Sequence, residues 1–268
     1  MRITLFFIFA DIFAGMPKIS CVVITLNEER NLARCLESVR EVADEIVVVD
    51  SFSTDRTEEI ARSFGAKFIQ HPFTDYVSQH KFADAQASYD HILTIDADEA
   101  LSPKLAESIR QVKRYWKADG YMLNRLTNYC GKWIRHSGWY PDKKLRLYDR
   151  RKGSWTGLKL HEKFLLKTKC VTGFLPGDLY HYSFYTVEEH LQQAARFGKM
   201  AAEALIEKGQ KIPRYYLVMK PWAKFIRNYF LKLGFLDGTY GYIICRIAAF
   251  ETLQKYALAY QAQQSDKT

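Results

Sequence analysis

The chain has 268 residues, 48% of them hydrophobic and 26% charged; this is the composition of a folded globular protein and excludes a disordered one. No segment reaches the ~20 consecutive apolar residues of a membrane-spanning helix. Lysine and arginine number 39 against 30 aspartate and glutamate, and the net charge of +9 predicts attraction to anions: nucleic acid, anionic lipid or phosphorylated small molecules.

Residues 3–14, ITLFFIFADIFA, are apolar except for Thr4 and Asp11. Met16-Pro17-Lys18 follows, and then a strand pattern starts at once. Residues 1–15 therefore read as an extension ahead of the domain, with a membrane-dipping anchor as the other reading, since ~12 apolar residues are too few to span. Residues 19–26, ISCVVITL, predict a buried strand. Asn27 is placed to cap a helix through about Val39, with Glu28 and Glu29 in its first turn. A second strand, 45–49, ends at Asp50; a polar loop leads to a helix over about 57–64, and 67–70 is a third strand. A helix over 77–88 precedes a fourth strand, 91–95, which ends at Asp96. Ser102 and Pro103 suit the N-cap and first position of a helix to about Trp116, and 120–124 is a further strand. Alternating strands and helices predict an α/β fold with a mostly parallel sheet flanked by helices, whose ligands bind beyond the carboxyl ends of the strands.

The second half differs. Residues 128–163 are rich in aromatic and basic side chains. Thr186-Val187-Glu188-Glu189 matches a capping box and opens a helix to about Lys208, with Gly209 beyond its end. Residues 208–236 carry seven Lys or Arg and no Asp or Glu, interleaved with aromatics. The expected division is 1–15 extension, 16–185 sheet domain, and 186–268 helical basic-aromatic region. The five cysteines are scattered, with no C-x-x-C pair, which predicts a reducing compartment, the cytosol by default, and no structural zinc.

Chemistry concentrates at the strand ends. Asp96-Ala97-Asp98-Glu99 follows a buried strand, where carboxylates are costly unless something cationic neutralises them. Hard divalent cations such as Mg2+ or Mn2+ take such oxygen ligands; a solvated turn with a capping acid remains the alternative. Asp50 suits a hydrogen bond to a base or ribose, or to its own turn. The turn TLNEER lacks the G-x-G-x-x-G of dinucleotide folds, and no G-x-x-x-x-G-K-[ST] occurs, which argues against a nicotinamide dehydrogenase and a P-loop kinase or NTPase.

ISCVVITLNEERNLARCLESV, DEIVVVDSFSTDRT and ILTIDADEAL together resemble a family 2 glycosyltransferase with the GT-A nucleotide-diphospho-sugar transferase fold. VVVDSFSTDRT, DADE, KLRLYDRRKGSW and HEKF are similar to the branch that builds lipopolysaccharide core and cell-envelope saccharides. The likeness covers about residues 18–190. It implies that Thr25, Leu26, Asn27 and Glu28 line the nucleotide pocket, that Asp50 binds base or ribose, and that Asp96 and Asp98 form the D-x-D motif, with Asp98 on a metal ion. Lys81, in Q-H-K-F-A, stands near a Q-[KR]-N-like stretch of relatives, and its pocket contact is implied only loosely. His181 would be a late metal or phosphate contact, or a structural histidine. Glu162, in Leu160-His161-Glu162-Lys163, is the expected base of an inverting transfer, with Asp142 in reserve. Arg146 and Arg150 would neutralise the donor or a phosphorylated acceptor. Trp133, Trp139, Tyr140 and Trp155 offer flat faces for an acceptor sugar, or serve as core aromatics.

The resemblance thus implies an inverting, metal-dependent enzyme with a nucleotide-sugar donor and a lipid-linked or lipopolysaccharide-type acceptor. It implies no nucleic-acid partner and a cytoplasmic placement, peripheral at the inner face of the membrane. The basic-aromatic stretch suits an anionic membrane surface. A nucleotidyltransferase or a basic nucleic-acid-binding protein are the alternatives; the first usually needs a glycine-rich phosphate loop, and the second leaves Asp50, Asp96 and Asp98 unexplained.

Overall fold

The computed structural model describes residues 16–157 and 162–265; the apolar extension 1–15 and His161 lie outside the described residues. Four strands form one half of a nine-stranded sheet, the inner three buried and the edge strand β3 partly exposed: β1 (Ile19–Thr25), β2 (Glu45–Asp50), β3 (Lys67–Gln70) and β4 (His91–Asp96), parallel in the order β3-β2-β1-β4. Helices α1 (Leu32–Val39), α2 (Thr57–Ser63) and α3 (Tyr76–Gln86) connect them. Strand β1 explains the layering. Its Ile19, Cys21 and Val23 pack with Leu32, Leu36 and Val39 of α1 on one face, while Val22 packs with Ala83 of α3 on the other. Both faces of β1, β2 and β4 are covered, so these strands read as largely apolar runs.

Beyond β4 the sheet is mixed, with antiparallel pairs among its neighbours, where the strand-helix alternation predicted a mostly parallel one. After β4 come β5 (Glu99–Leu101), α4 (Pro103–Arg114), β6 (Gly120–Tyr129), β7 (Lys132–Trp133), β8 (Asp142–Asp149), β9 (Gly153–Thr156), β10 (Lys163–Leu166) and β11 (Thr172–Phe184). The order continues β4-β8-β6-β11-β5, with β9 and β10 as a separate hairpin. β8 runs antiparallel to β4 and β6, and β11 antiparallel to β5, whereas β6 and β11 run side by side in parallel, Asp119 N donating to Val171 O at one end and Cys130 N to Phe184 O at the other. Ser102 caps α4 as expected, its hydroxyl accepting from Leu105 N at 3.2 Å.

Asn27 is not a helix cap. It adopts φ +55°, a region asparagine tolerates, and its side-chain oxygen accepts from Thr54 N at 2.8 Å, so α1 begins only at Leu32.

The chain divides into two compact units, residues through Arg125 with Asp142–His181, and Leu126–Pro141 with residues from Tyr182 onward. The second unit thus takes 126–141, which the sequence division kept with the sheet domain. It contains α5 (Val187–Glu207), α6 (Tyr216–Ile226), a wide turn at Arg227–Leu231, and α7 (Gly238–Ser265). The Thr186 capping box forms, with Glu189 N donating to the threonine hydroxyl at 3.1 Å. Tyr129, Ile134, Phe184 and Ile244 form one core of this unit; Ala202, Leu205, Ile212 and Ala259 form another.

Candidate active site

In the first unit the carboxyl ends of β1 and β4 lie side by side, with Ile24 in register with Asp96. Beyond them opens a cavity of about 490 Å³. Of the residues expected at the site, Thr25, Leu26, Glu28, Asp96, Asp98, Glu162 and His181 all line it. Phe73, Tyr76, Gln79 and His80 complete much of the wall.

The D-x-D turn is built from below. Glu99 is fully buried, and its carboxylate accepts from Asp96 N at 2.9 Å, which closes the turn between β4 and β5. Strand β8 carries one extra residue opposite β6: Tyr121 pairs with Leu147 and Met122 with Leu145, so Arg146 bulges. A bulge re-aims a side chain. Arg146 reaches Asp96 Oδ2 at 2.7 Å and Glu99 Oε1 at 3.0 Å. Arg125 adds a contact to Glu99 at 3.5 Å and one to Asp142 at 2.8 Å. Burial opposes ionisation of Asp96, but the Arg146 guanidinium outweighs it and holds the carboxyl below the usual range. Burial raises Glu99 instead.

Pairing of β5 with β11 sets His181 opposite Glu99. Its Nε2 stands 3.2 Å from Asp98 Oδ2. Burial disfavours the imidazolium, yet the Asp98 carboxylate prevails and the His181 pKa is raised. Glu28 is raised by burial and by the nearby carboxylates Asp98, Asp55 and Asp96. Glu162 makes no hydrogen bond or ion pair with the described residues, so its carboxylate is left to the cavity.

Other expectations are corrected. Arg146 is buried beneath Asp96, where it pairs with Asp96 and Glu99, and is not among the residues that line the cavity. Arg150 donates to the carbonyls of Asp84 and Ala87 at 2.6 and 3.0 Å, securing the end of α3. Asp50 is fully buried; it accepts from Thr25 Oγ1 at 3.0 Å, from Ser53 N at 2.8 Å and from the Ser53 hydroxyl, so it shapes the loop and does not line the cavity. Asn27 likewise serves the loop. Asp142 is engaged by Arg125 and by Lys144 at 3.3 Å, away from the cavity lining. Lys81 is exposed and points elsewhere; its neighbour His80 lines the cavity. Trp155 is a core residue, stacked on His80 at 3.8 Å and donating to Asp84 at 2.9 Å. Trp133, Trp139 and Tyr140 belong to the second unit.

Sequence reasoning missed His80, Gln79, Phe73 and Tyr76. The rings of Phe73 and Tyr76 meet edge to face at 5.0 Å. His80 is 2% exposed, its Nδ1 has no partner, and burial lowers its pKa to about 4, so it is neutral at pH 7. The Q-H-K-F-A stretch was the available signal.

The family model for glycosyl transferase family 2 matches residues 20–170. An uncharacterized glycosyltransferase of Rickettsia typhi is 32% identical over 252 residues, covering 90% of this chain and 86% of that protein. The lipopolysaccharide core biosynthesis glycosyltransferase LpsC of Rhizobium meliloti is 29% identical over 260 residues, covering 91% and 95%. A solved structure of glucosyl-3-phosphoglycerate synthase from Mycobacterium tuberculosis, with Mn2+, UDP and glucosyl-3-phosphoglycerate, is 24% identical over 44% of this chain and 46% of that one, with a TM-score of 0.37. The chain belongs to glycosyl transferase family 2 and is a glycosyltransferase, which sets aside the nucleotidyltransferase alternative.

Proposed function

We propose that this glycosyltransferase inverts configuration and moves a sugar from a nucleotide-sugar donor to a saccharide acceptor of the cell envelope, with Mg2+ or Mn2+ held at Asp98 and His181. The carrying observation is the sign of the cavity. Glu28, Asp96, Asp98 and Glu162 line it, and no Lys or Arg does among the described residues. A nucleoside diphosphate is itself anionic and is repelled by such a wall unless a cation intervenes.

The donor set supports this. A carboxylate and an imidazole suit a divalent ion, and their 3.2 Å separation matches two adjacent ligands of a six-coordinate ion, about 3 Å apart. Among the described residues no group of three or more His, Cys, Asp or Glu is gathered for a metal. The remaining positions would thus fall to the diphosphate and water. The bound ion would neutralise charge developing on the diphosphate. Asp96, kept ionised by Arg146, accepts from a hydroxyl of the ribose or sugar. Phe73 and Tyr76 offer flat rings to the base. Glu162 takes the proton of the acceptor hydroxyl while that oxygen bonds to the anomeric carbon and the bond to the diphosphate breaks on the opposite side.

The envelope acceptor is supported by the likeness to a relative named for lipopolysaccharide core biosynthesis. Peripheral membrane contact is supported by α6, where Val218, Met219, Trp222 and Ile226 lie exposed beside basic residues. No helix among the described residues is long and apolar enough to cross a membrane. Glu162→Gln tests the chemistry. On the donor found by screening UDP-, GDP- and CDP-sugars for turnover, the variant keeps nucleotide affinity and loses transfer by about 100-fold or more. Full turnover in the variant refutes the base.

A further inference from the structure

The second unit has a cavity of its own, of about 460 Å³, made entirely of residues outside the donor site. We propose that it binds a phosphate-bearing sugar, with Lys224, Arg227 and Lys232 on the phosphate and Trp139 against the sugar ring. This goes beyond the transfer reaction above and names a second ligand site.

Charge is the first observation. Lys224 and Arg227, three residues apart where α6 runs into the following turn, share a face, and Lys232 lies beyond the turn. All three line the cavity, and none makes an ion pair within 4 Å among the described residues. The single carboxylate of the lining, Glu251, is attracted by Lys224 and Lys255 but forms no ion pair within 4 Å among the described residues, so three cations face one acid. Like charges gathered around one cavity repel each other, and a dianion between them removes that cost. The proximity is felt within the protein: burial, Arg227 and Lys255 lower the Lys224 pKa and outweigh Glu251, which raises it. A neighbouring groove shares Lys224, Arg227 and Glu251 and adds Lys220 and Lys255, so the cationic field extends further.

The cavity is also prepared. Asn228 is 6% exposed and accepts from Arg227 Nε at 3.2 Å, which orients the guanidinium and leaves its terminal nitrogens for a ligand. Ser137 N donates to the carbonyl of Lys232 at 3.0 Å and ties the turn to the loop that carries Trp139. Trp139 is fixed by edge contacts to Tyr129 at 5.9 Å and His190 at 5.7 Å. A held aromatic ring among hydrogen-bonding side chains suits a sugar, and a volume of this size admits one small ligand. The polar lining suits hydroxyls better than acyl chains.

Calorimetric titration of the full chain with glucose 6-phosphate, glucose and inorganic phosphate, at fixed ionic strength, tests the site. Glucose 6-phosphate binds with a dissociation constant on the order of a millimolar or tighter, more tightly than inorganic phosphate, and glucose shows no heat. Arg227→Gln with Lys232→Gln, both at exposed side chains, weakens glucose 6-phosphate at least ten-fold and leaves Mn2+-UDP affinity unchanged, which separates this site from the donor site. Glucose 6-phosphate binding that is absent from the wild type, or equal in the double variant, overturns the proposal. So does a result in which the substitutions reduce only flotation with phosphatidylglycerol vesicles, because the cavity would then read a lipid headgroup.

Discussion

Arg146 is the shared partner of two acids at the end of a buried strand, pairing with both Asp96 and Glu99, while Arg125 reaches only Glu99 of the two and from farther away. Asp84 lacks such a partner. It is 7% exposed, accepts from Tyr148 OH at 3.0 Å and Trp155 Nε1 at 2.9 Å, and is still pushed up to about 6 by burial. The folded protein therefore holds this proton more tightly than the unfolded chain, whose carboxyl titrates near 3.9. The stabilisation is complete below about pH 4 and is lost as the pH rises through about 6. Asp84→Asn keeps an acceptor for Trp155 and removes the charge. Urea unfolding across this range is expected to show the variant gaining about 2–3 kcal/mol on the wild type between pH 4 and pH 7. His80 and His190, both lowered to about 4 by burial, favour the opposite trend, but they do so in both proteins. Parallel curves for the two proteins contradict the assignment.

At the scale of elements, legibility follows burial. ISCVVITL, EIVVV and ILTI could be read as strands because both faces of each are covered, and their carboxyl ends delivered Thr25, Asp96 and Asp98 to the cavity. Strand β8, DKKLRLYD, hides its nature, since its bulged residue is a buried arginine that composition alone assigns to the surface. That is why Arg146 was expected to meet the donor. Lys81 failed for a different reason: adjacent helix positions differ by about 100° in direction, so His80 faces the cavity and Lys81 does not. Phe73 and Tyr76 flank the start of α3 and carry no motif. The basic-aromatic stretch was visible, and α6 gives it form, with Trp222 59% exposed and Val218 58%. Replacing Trp222 and Ile226 by serine should reduce flotation with anionic vesicles several-fold while catalysis on a soluble acceptor continues; unchanged flotation would remove α6 as the contact.

At the scale of the molecule, a sheet-based unit presents a wall of carboxylates, and a helical unit presents a cavity of cations. The acidic wall is the central point of the proposed function, which makes donor binding conditional on a divalent ion. Thermal unfolding of the full chain with UDP, GDP and CDP, each with and without Mn2+, measures this most directly, because a ligand that binds only the folded state raises its stability. The expected result is a rise in midpoint with one diphosphate nucleotide, seen only with Mn2+ and abolished by Asp98→Asn. Equal stabilisation without the metal, or in Asp98→Asn, would contradict it.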